Sequence, residues 1–159
     1  MIVAANTTFH VRDATYEEAE EIISEPQITE RVIARLGHAP IVPECRKLVL
    51  WGRHRMMFTY EIRYDSTASV QVVYAHIAVP KASIPACRVL ALLASYWVLN
   101  VAAPEAVALM VDMPEGKMSN MAVKLGYVRK ELGDQVVYVL TKSKAAVLNT
   151  QLGITLITE

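Results

Sequence analysis

Ser119-Asn120-Met121-Ala122-Val123-Lys124-Leu125-Gly126-Tyr127, SNMAVKLGY in one-letter code, reads as a short helix that runs without a linker into a strand. The helix covers Lys117 to Leu125. Gly126 supplies the left-handed residue that closes it, and Tyr127 to Glu131 continues as a strand. Gly133-Asp134 then turns the chain into a last strand, Val136 to Thr141.

Working back from this segment, Val107 to Val111 is a continuous apolar run, the pattern of a strand covered on both faces. Pro104 separates it from a helix that begins at Pro85, reaches about Asn100 and is apolar nearly all round, as befits a helix at the centre of a domain. Three antiparallel strands precede that helix. Lys47 to Trp51 and Met57 to Tyr64 flank Gly52-Arg53-His54, and the second alternates, with Phe58, Tyr60, Ile62 and Tyr64 on one face. Ser69 to Val79 is the third, a long β-branched run ending at Pro80. Near the amino end, Phe9 to Asp13 forms a short strand, and Thr15 with Glu18 makes a T-x-x-E capping box for a first helix. Pro26 opens a second, with Ile28, Val32, Ile33 and Leu36 on one face and Gly37 as its stop. The order is βααβββαβαββ.

Composition bounds the function. The 159 residues fall within the size of one domain, and 53% hydrophobic residues with a mean hydropathy of +0.28 argue against disorder. Sixteen basic and sixteen acidic residues cancel, which leaves no global field for nucleic acid or an anionic membrane. The longest uncharged stretch, Val89 to Pro104, is short of a membrane span and reads as a buried helix. MIVAANTTFHVRD lacks a basic secretory n-region, so the expected location is cytoplasmic. Cys45 and Cys87 have no metal-ligand or disulfide-framework spacing, and no metal site is predicted.

The element order and the helix running into K-L-G-[FY] resemble the GNAT (N-acetyltransferase-like) superfamily over about Phe9 to Lys142. The resemblance implies a single α/β (α+β) domain over residues 1–142, with a mixed central sheet of about seven strands and helices on both faces; residues 143–159 lie outside it and read as a C-terminal extension packed on the domain or on a partner chain. Leu125 and Tyr127 would be core, and Gly126 the helix stop. It also implies a V-shaped opening between the fourth and fifth strands, with the splay judged around Val79 and Val107, for acetyl-CoA or another acyl-CoA. The cofactor's pyrophosphate would lie at the start of the helix near Pro85, where unpaired N–H groups and the helix dipole favour an anion.

In the family's loop pattern, [RQ]-x-x-G-x-[GA], the matching residues are Lys81, Ile84 and Ala86. Lys81, Ala86, Cys87 and Arg88 are therefore the cofactor-binding candidates. Ile84 replaces the glycine and Pro85 contributes no N–H, so the loop is atypical. Many family members place a general-acid Tyr four residues before the glycine of K-L-G-[FY], and here that residue is Ala122. His76 and Asp112, on the fourth and fifth strands, are the candidate bases. Set against those roles, His76 is a core histidine beside Val72 and Tyr74, and Asp112 caps the turn into Pro114. Cys87, beside Arg88 in a helix's first turn, is either an activated thiol or a small buried residue.

Arg53-His54-Arg55 either grips a phosphate or an acidic partner or is a solvated hairpin tip, and the methionines Met56, Met57, Met110, Met113, Met118 and Met121 either fill core or form an adaptable groove. Ile154-Thr155-Leu156-Ile157 is apolar and uncharged. It either pairs with an edge of its own domain or joins a neighbouring chain, and the second is the expectation, giving a homo-oligomer or a larger assembly through residues 153–159. Two functional classes follow: an acyl-CoA-dependent N-acyltransferase with an atypical loop, or a catalytically inactive GNAT-fold structural protein of the kind found among virion-associated phage proteins.

Overall fold

The computed structural model describes residues 7–113, 116–152 and 154–156. Pro114, Gly153, Ile157 and Thr158, which enter the sequence reading, lie outside the described residues. Among the described residues eight strands form one sheet: β1 (Thr7–Asp13), β2 (Lys47–Trp51), β3 (His54–Asp65), β4 (Val70–Ala78), β5 (Ala106–Val111), β6 (Val128–Leu132), β7 (Gln135–Thr141) and β8 (Ile154–Leu156). Their spatial order is β6-β7-β5-β4-β3-β2-β1-β8. β4 with β5 and β1 with β8 are parallel, and the other pairs are antiparallel.

Helices α1 (Tyr16–Ile23) and α2 (Pro26–Leu36) cover one face of the sheet. Ala19, Ile22, Ile23 and Ile28 meet Leu48, Met57 and Ala78 there in a compact cluster. The Thr15 capping box forms as expected, with Glu18 N–H donating to Thr15 Oγ1 at 3.2 Å and Thr15 N–H to Glu18 Oε1 at 2.9 Å. One detail of α2 differs from the sequence pattern. Ile33 and Leu36 are exposed, and the helix meets the cluster through buried Ile28 and half-buried Val32.

The opposite face carries α3 (Cys87–Trp97), α4 (Lys117–Lys124) and α5 (Lys142–Leu152). A tight 3₁₀ stretch, Lys81–Ala86, leads into α3 and a π-turn, Val98–Ala102, ends it. By length and hydropathy this helix passes for a membrane span, but Leu90, Leu93, Val98 and Leu99 pack it into the core against Phe9, Phe58 and Val73. Trp97 meets Phe58 and Tyr60 edge-on, with ring centroids 5.8 and 5.7 Å away.

SNMAVKLGY folds as read. Leu125 and Tyr127 are buried, and Gly126 stands at φ +100°. Tyr127 N–H donates to Ala122 C=O and Gly126 N–H to Val123 C=O, both at 3.0 Å, the paired bonds of a Schellman stop. Downstream, α5 lies on the α3 face with Ala145 in the main core. The terminal segment becomes β8 and pairs in parallel with β1 of its own sheet, Thr7 opposite Ile154. Of the two placements open to Ile154 to Leu156, the described residues take the intramolecular one.

Candidate functional site

β4 and β5 pair from Gln71 opposite Ala106 to Ala75 opposite Val111. Beyond that point β4 continues through His76, Ile77 and Ala78 bonded to β3 alone, while the chain leaves β5 at Asp112. The sheet therefore opens between the carboxyl ends of two parallel strands. Its two lips are His76 to Val79 and Asp112 to Met113. Val107, which the sequence reading paired with Val79 as a marker of the splay, lies at the other end of β5, because parallel strands bring like ends together.

On the α3 side the opening is nearly filled. Met113, Met118 and Met121 crowd against Ala91, Ser95 and Tyr127 and leave a cavity of about 40 Å³. Cys87 Sγ lies 3.9 Å from Met118 Sδ, and burial pushes its thiol pKa up although Arg31 pulls the other way. Cys87 is thus a small buried residue with a protonated thiol, and not an activated nucleophile.

The start of the long helix is closed as well. Lys81 N–H donates to Glu25 Oε1 at 2.7 Å, and Gln27 Nε2 donates to the same oxygen at 2.8 Å. Ser83 N–H donates to Pro80 C=O, and Ser83 Oγ accepts from Arg55 N–H at 3.0 Å. A carboxylate of the chain itself therefore stands where a helix start would attract a phosphate. Ile84 is 51% exposed and does not enter the opening. Nor is it in a left-handed conformation; among the described non-glycine residues only Ser69 is. Of the cofactor-binding candidates, Lys81 and Arg88 are exposed, while Ala86 and Cys87 are buried in the core.

The α2 side is open. A cleft of about 220 Å³ is lined by Arg31, Val32, Arg35 and Leu36 of α2 and by His76, Ile77, Asp112, Met113 and Met118. Arg31, Val32, Leu36, His76 and Ile77 also wall a larger cavity of about 340 Å³, which extends under the loop from His38 to Pro43. His76 is exposed and not a core residue, and its ring sits 5.8 Å from that of Tyr74. Partial enclosure by the cleft pushes its pKa down; Asp112 raises it, and Arg35 and Arg63 lower it further. Its imidazole is accordingly neutral at neutral pH.

Asp112 is already engaged. It pairs with Arg35 across the mouth of the cleft and takes a long 3.4 Å bond from Gln135 Nε2, which also donates to Tyr74 Oη at 2.6 Å. This chain of contacts ties α2, β4, β5 and β7 together. Among the described residues no group of three His, Cys, Asp or Glu side chains is arranged to hold a metal ion.

No protein-family model matches the sequence, and no curated protein matches it. Solved structures do. FdhC, described as a nucleotide-linked sugar GNAT, superposes with a TM-score of 0.60 over 94% of each chain at 11% identity. The AtaT toxin, solved as a point mutant with the antitoxin AtaR C-terminus and acetyl-CoA, gives 0.55 over 90% of this chain and 99% of that one at 10% identity. A GNAT-family acetyltransferase from Listeria monocytogenes gives 0.55 over 88% and 98% at 16% identity. This chain has the GNAT fold.

Ala122, which the K-L-G-[FY] resemblance sets at the position of a general-acid Tyr, is buried and has no hydroxyl to give. The nearby phenol of Tyr127 is no substitute, since it bonds Ser95 Oγ at 2.9 Å and burial pushes its pKa up to about 12. An acyl-CoA placed at this opening would meet two obstacles. Its diphosphate would face Glu25, and its pantetheine arm would need far more than the space left among the methionines, given that small-molecule sites occupy about 300–1,000 Å³. Sequence reasoning missed Glu25, Arg31 and Arg35, all from α2 or its N-cap. The available signal was the i, i+4 spacing of the two arginines, which sets both on one helix face.

Proposed function

We propose that this chain is a GNAT-fold protein without acyl-CoA chemistry, serving as a structural or assembly component inside the cell, or within a virion in a phage setting. The observation carrying this reading is the double closure of the cofactor side: Glu25 on Lys81 N–H, and about 40 Å³ left between α3 and α4. Ala122 in place of a general acid supports it. Titration with acetyl-CoA tests it by calorimetry and by thermal shift. No heat and no rise in Tm up to millimolar ligand is the expected result, and saturable binding overturns the proposal.

A second reading, an acyl-CoA-dependent N-acyltransferase, is favoured by one observation. His76 presents an accessible, neutral imidazole at the open end of β4, beside Asp112, where a general base for an amine would stand. The acetyl-CoA bound by the AtaT structure belongs to that protein. If acetyl-CoA binds here, His76→Ala should leave its affinity unchanged and abolish turnover of any amine acceptor. A homo-oligomer remains part of the first reading, and sedimentation of the full chain measures it.

A further inference from the structure

Arg31 is the one guanidinium of α2 that the fold puts to no visible use. Its neighbour one turn on, Arg35, is neutralised by Asp112. Among the described residues Arg31 has no hydrogen-bond acceptor and no ion-pair partner, although it is partly buried in the wall shared by the two cavities of the α2 face. Burial and the charge of Arg35 both push its pKa down, so holding the cation there is a cost to the folded state. An arginine stays protonated under such conditions. A cation held unpaired on a cavity wall is complementary to an anion.

The cavity beside it is apolar. Ile23, Ile28, Val32, Met57 and Ala78 make its floor, and its volume of about 340 Å³ falls in the range of small-molecule sites. At its mouth, Leu36 and Ile41 are 61% and 77% exposed, two large aliphatic side chains facing water beside a hollow. His76 adds a second polar group on the shared wall. The surroundings therefore call for a ligand with one anionic end and one aliphatic body.

We propose that this cavity binds a small aliphatic monocarboxylate, its carboxylate on the Arg31 guanidinium and its hydrocarbon chain in the hollow beneath Leu36 and Ile41. An Arg–carboxylate pair is bidentate and charge-assisted, so the anionic end fixes orientation while the chain supplies burial. The proposal concerns the α2 face and is independent of whether acyl-CoA binds on the other.

The test titrates the full chain with octanoate, and with octanol and octylammonium as probes of equal length, by calorimetry and thermal shift. Octanoate is expected to bind saturably and raise Tm with concentration, octanol to bind more weakly, and octylammonium not to bind. Arg31→Gln should weaken octanoate by about tenfold or more and leave octanol unchanged, and Arg31→Lys should restore part of the loss. Without ligand, Arg31→Gln should unfold at the same temperature or higher, since a desolvated charge is removed and no contact is broken. The proposal is overturned by absence of octanoate binding, by equal binding of octylammonium, or by an unchanged affinity in Arg31→Gln. A chain that dimerises through this face and excludes octanoate from it overturns the proposal as well.

Discussion

Glu25 Oε1 accepts the backbone N–H of Lys81 at 2.7 Å across 56 residues of sequence, so the N-cap residue of α2 also caps the long central helix. Glu25→Gln keeps an acceptor there and removes the charge. It should lower stability to urea by roughly 1 kcal/mol, the usual scale for a cap or a helix-dipole contact. Acetyl-CoA should still give no stabilisation of this variant, because the methionine-filled space between α3 and α4 is unchanged. Acetyl-CoA binding gained on the single change would locate the whole obstruction at Glu25.

Glu18 predicts the acid limb of stability. Both its oxygens accept from Arg12, at 2.8 and 2.7 Å, and Thr15 N–H adds a third bond, which together hold its pKa down to about 2 from the ordinary 4.5. A carboxylate depressed in the folded state stabilises it above the unfolded pKa. That contribution, on the order of 1–2 kcal/mol after solvent screening, is present above about pH 4.5 and is lost as pH falls toward 2. Glu18→Gln should flatten this part of the stability–pH curve in chemical denaturation.

Ser95 and Tyr127 set the alkaline limb. Ser95 Oγ–H donates to Ala91 C=O at 2.7 Å, so the phenol must be the donor in its 2.9 Å bond to Ser95. The folded Tyr127 gives up its proton near pH 12 and the unfolded one near 10, so stability falls as pH rises through that window, by on the order of 2 kcal/mol. Tyr127→Phe removes this part of the slope and leaves the smaller part from Tyr74, whose pKa burial also pushes up. At neutral pH the substitution costs only about 1 kcal/mol, because Ser95 keeps its carbonyl partner. Absorbance titration of the tyrosines beside urea melts measures both effects.

Gly126 makes the fold signature intolerant of a side chain. At φ +100° a Cβ is strained, and it would stand 3.0 Å from Lys144 Cε of α5. The lysine tip can swing aside, so the backbone decides the cost. Gly126→Ala should lose about 1–2 kcal/mol in equilibrium unfolding, whereas Gly133→Ala, left-handed at a turn with open space around it, should lose less.

Local signals carried most of the fold. The capping box at Thr15, the positive-φ stop at Gly126 and the alternation of Phe58 and Tyr60 each depend on residues a few positions apart, and each formed as read. β4 and β5 were located within a residue or two, but which of their ends diverge depends on their being parallel, a property of the pairing and not of either strand. The site was less legible for the same reason. Its defining contacts, Glu25 to Lys81, Arg35 to Asp112 and Arg31 on the cavity wall, join α2 to elements far along the chain. His76 shows the limit most clearly. Alternation set it correctly on the face of Tyr74, yet that face is covered by α1 and α2 only as far as the cleft, so the ring meets water.

The parallel ladder between Thr7–Phe9 and Ile154–Leu156 joins two strands that leave the ribosome far apart in time. Until residues 154–156 have emerged, β1 is an edge with its outer N–H and C=O groups unpaired. A nascent chain in that state offers a template to any other strand, including the same segment of a neighbour on the same messenger. Slow translation between β7 and β8 should therefore raise co-translational aggregation, and the emergence of β8 should end the exposure.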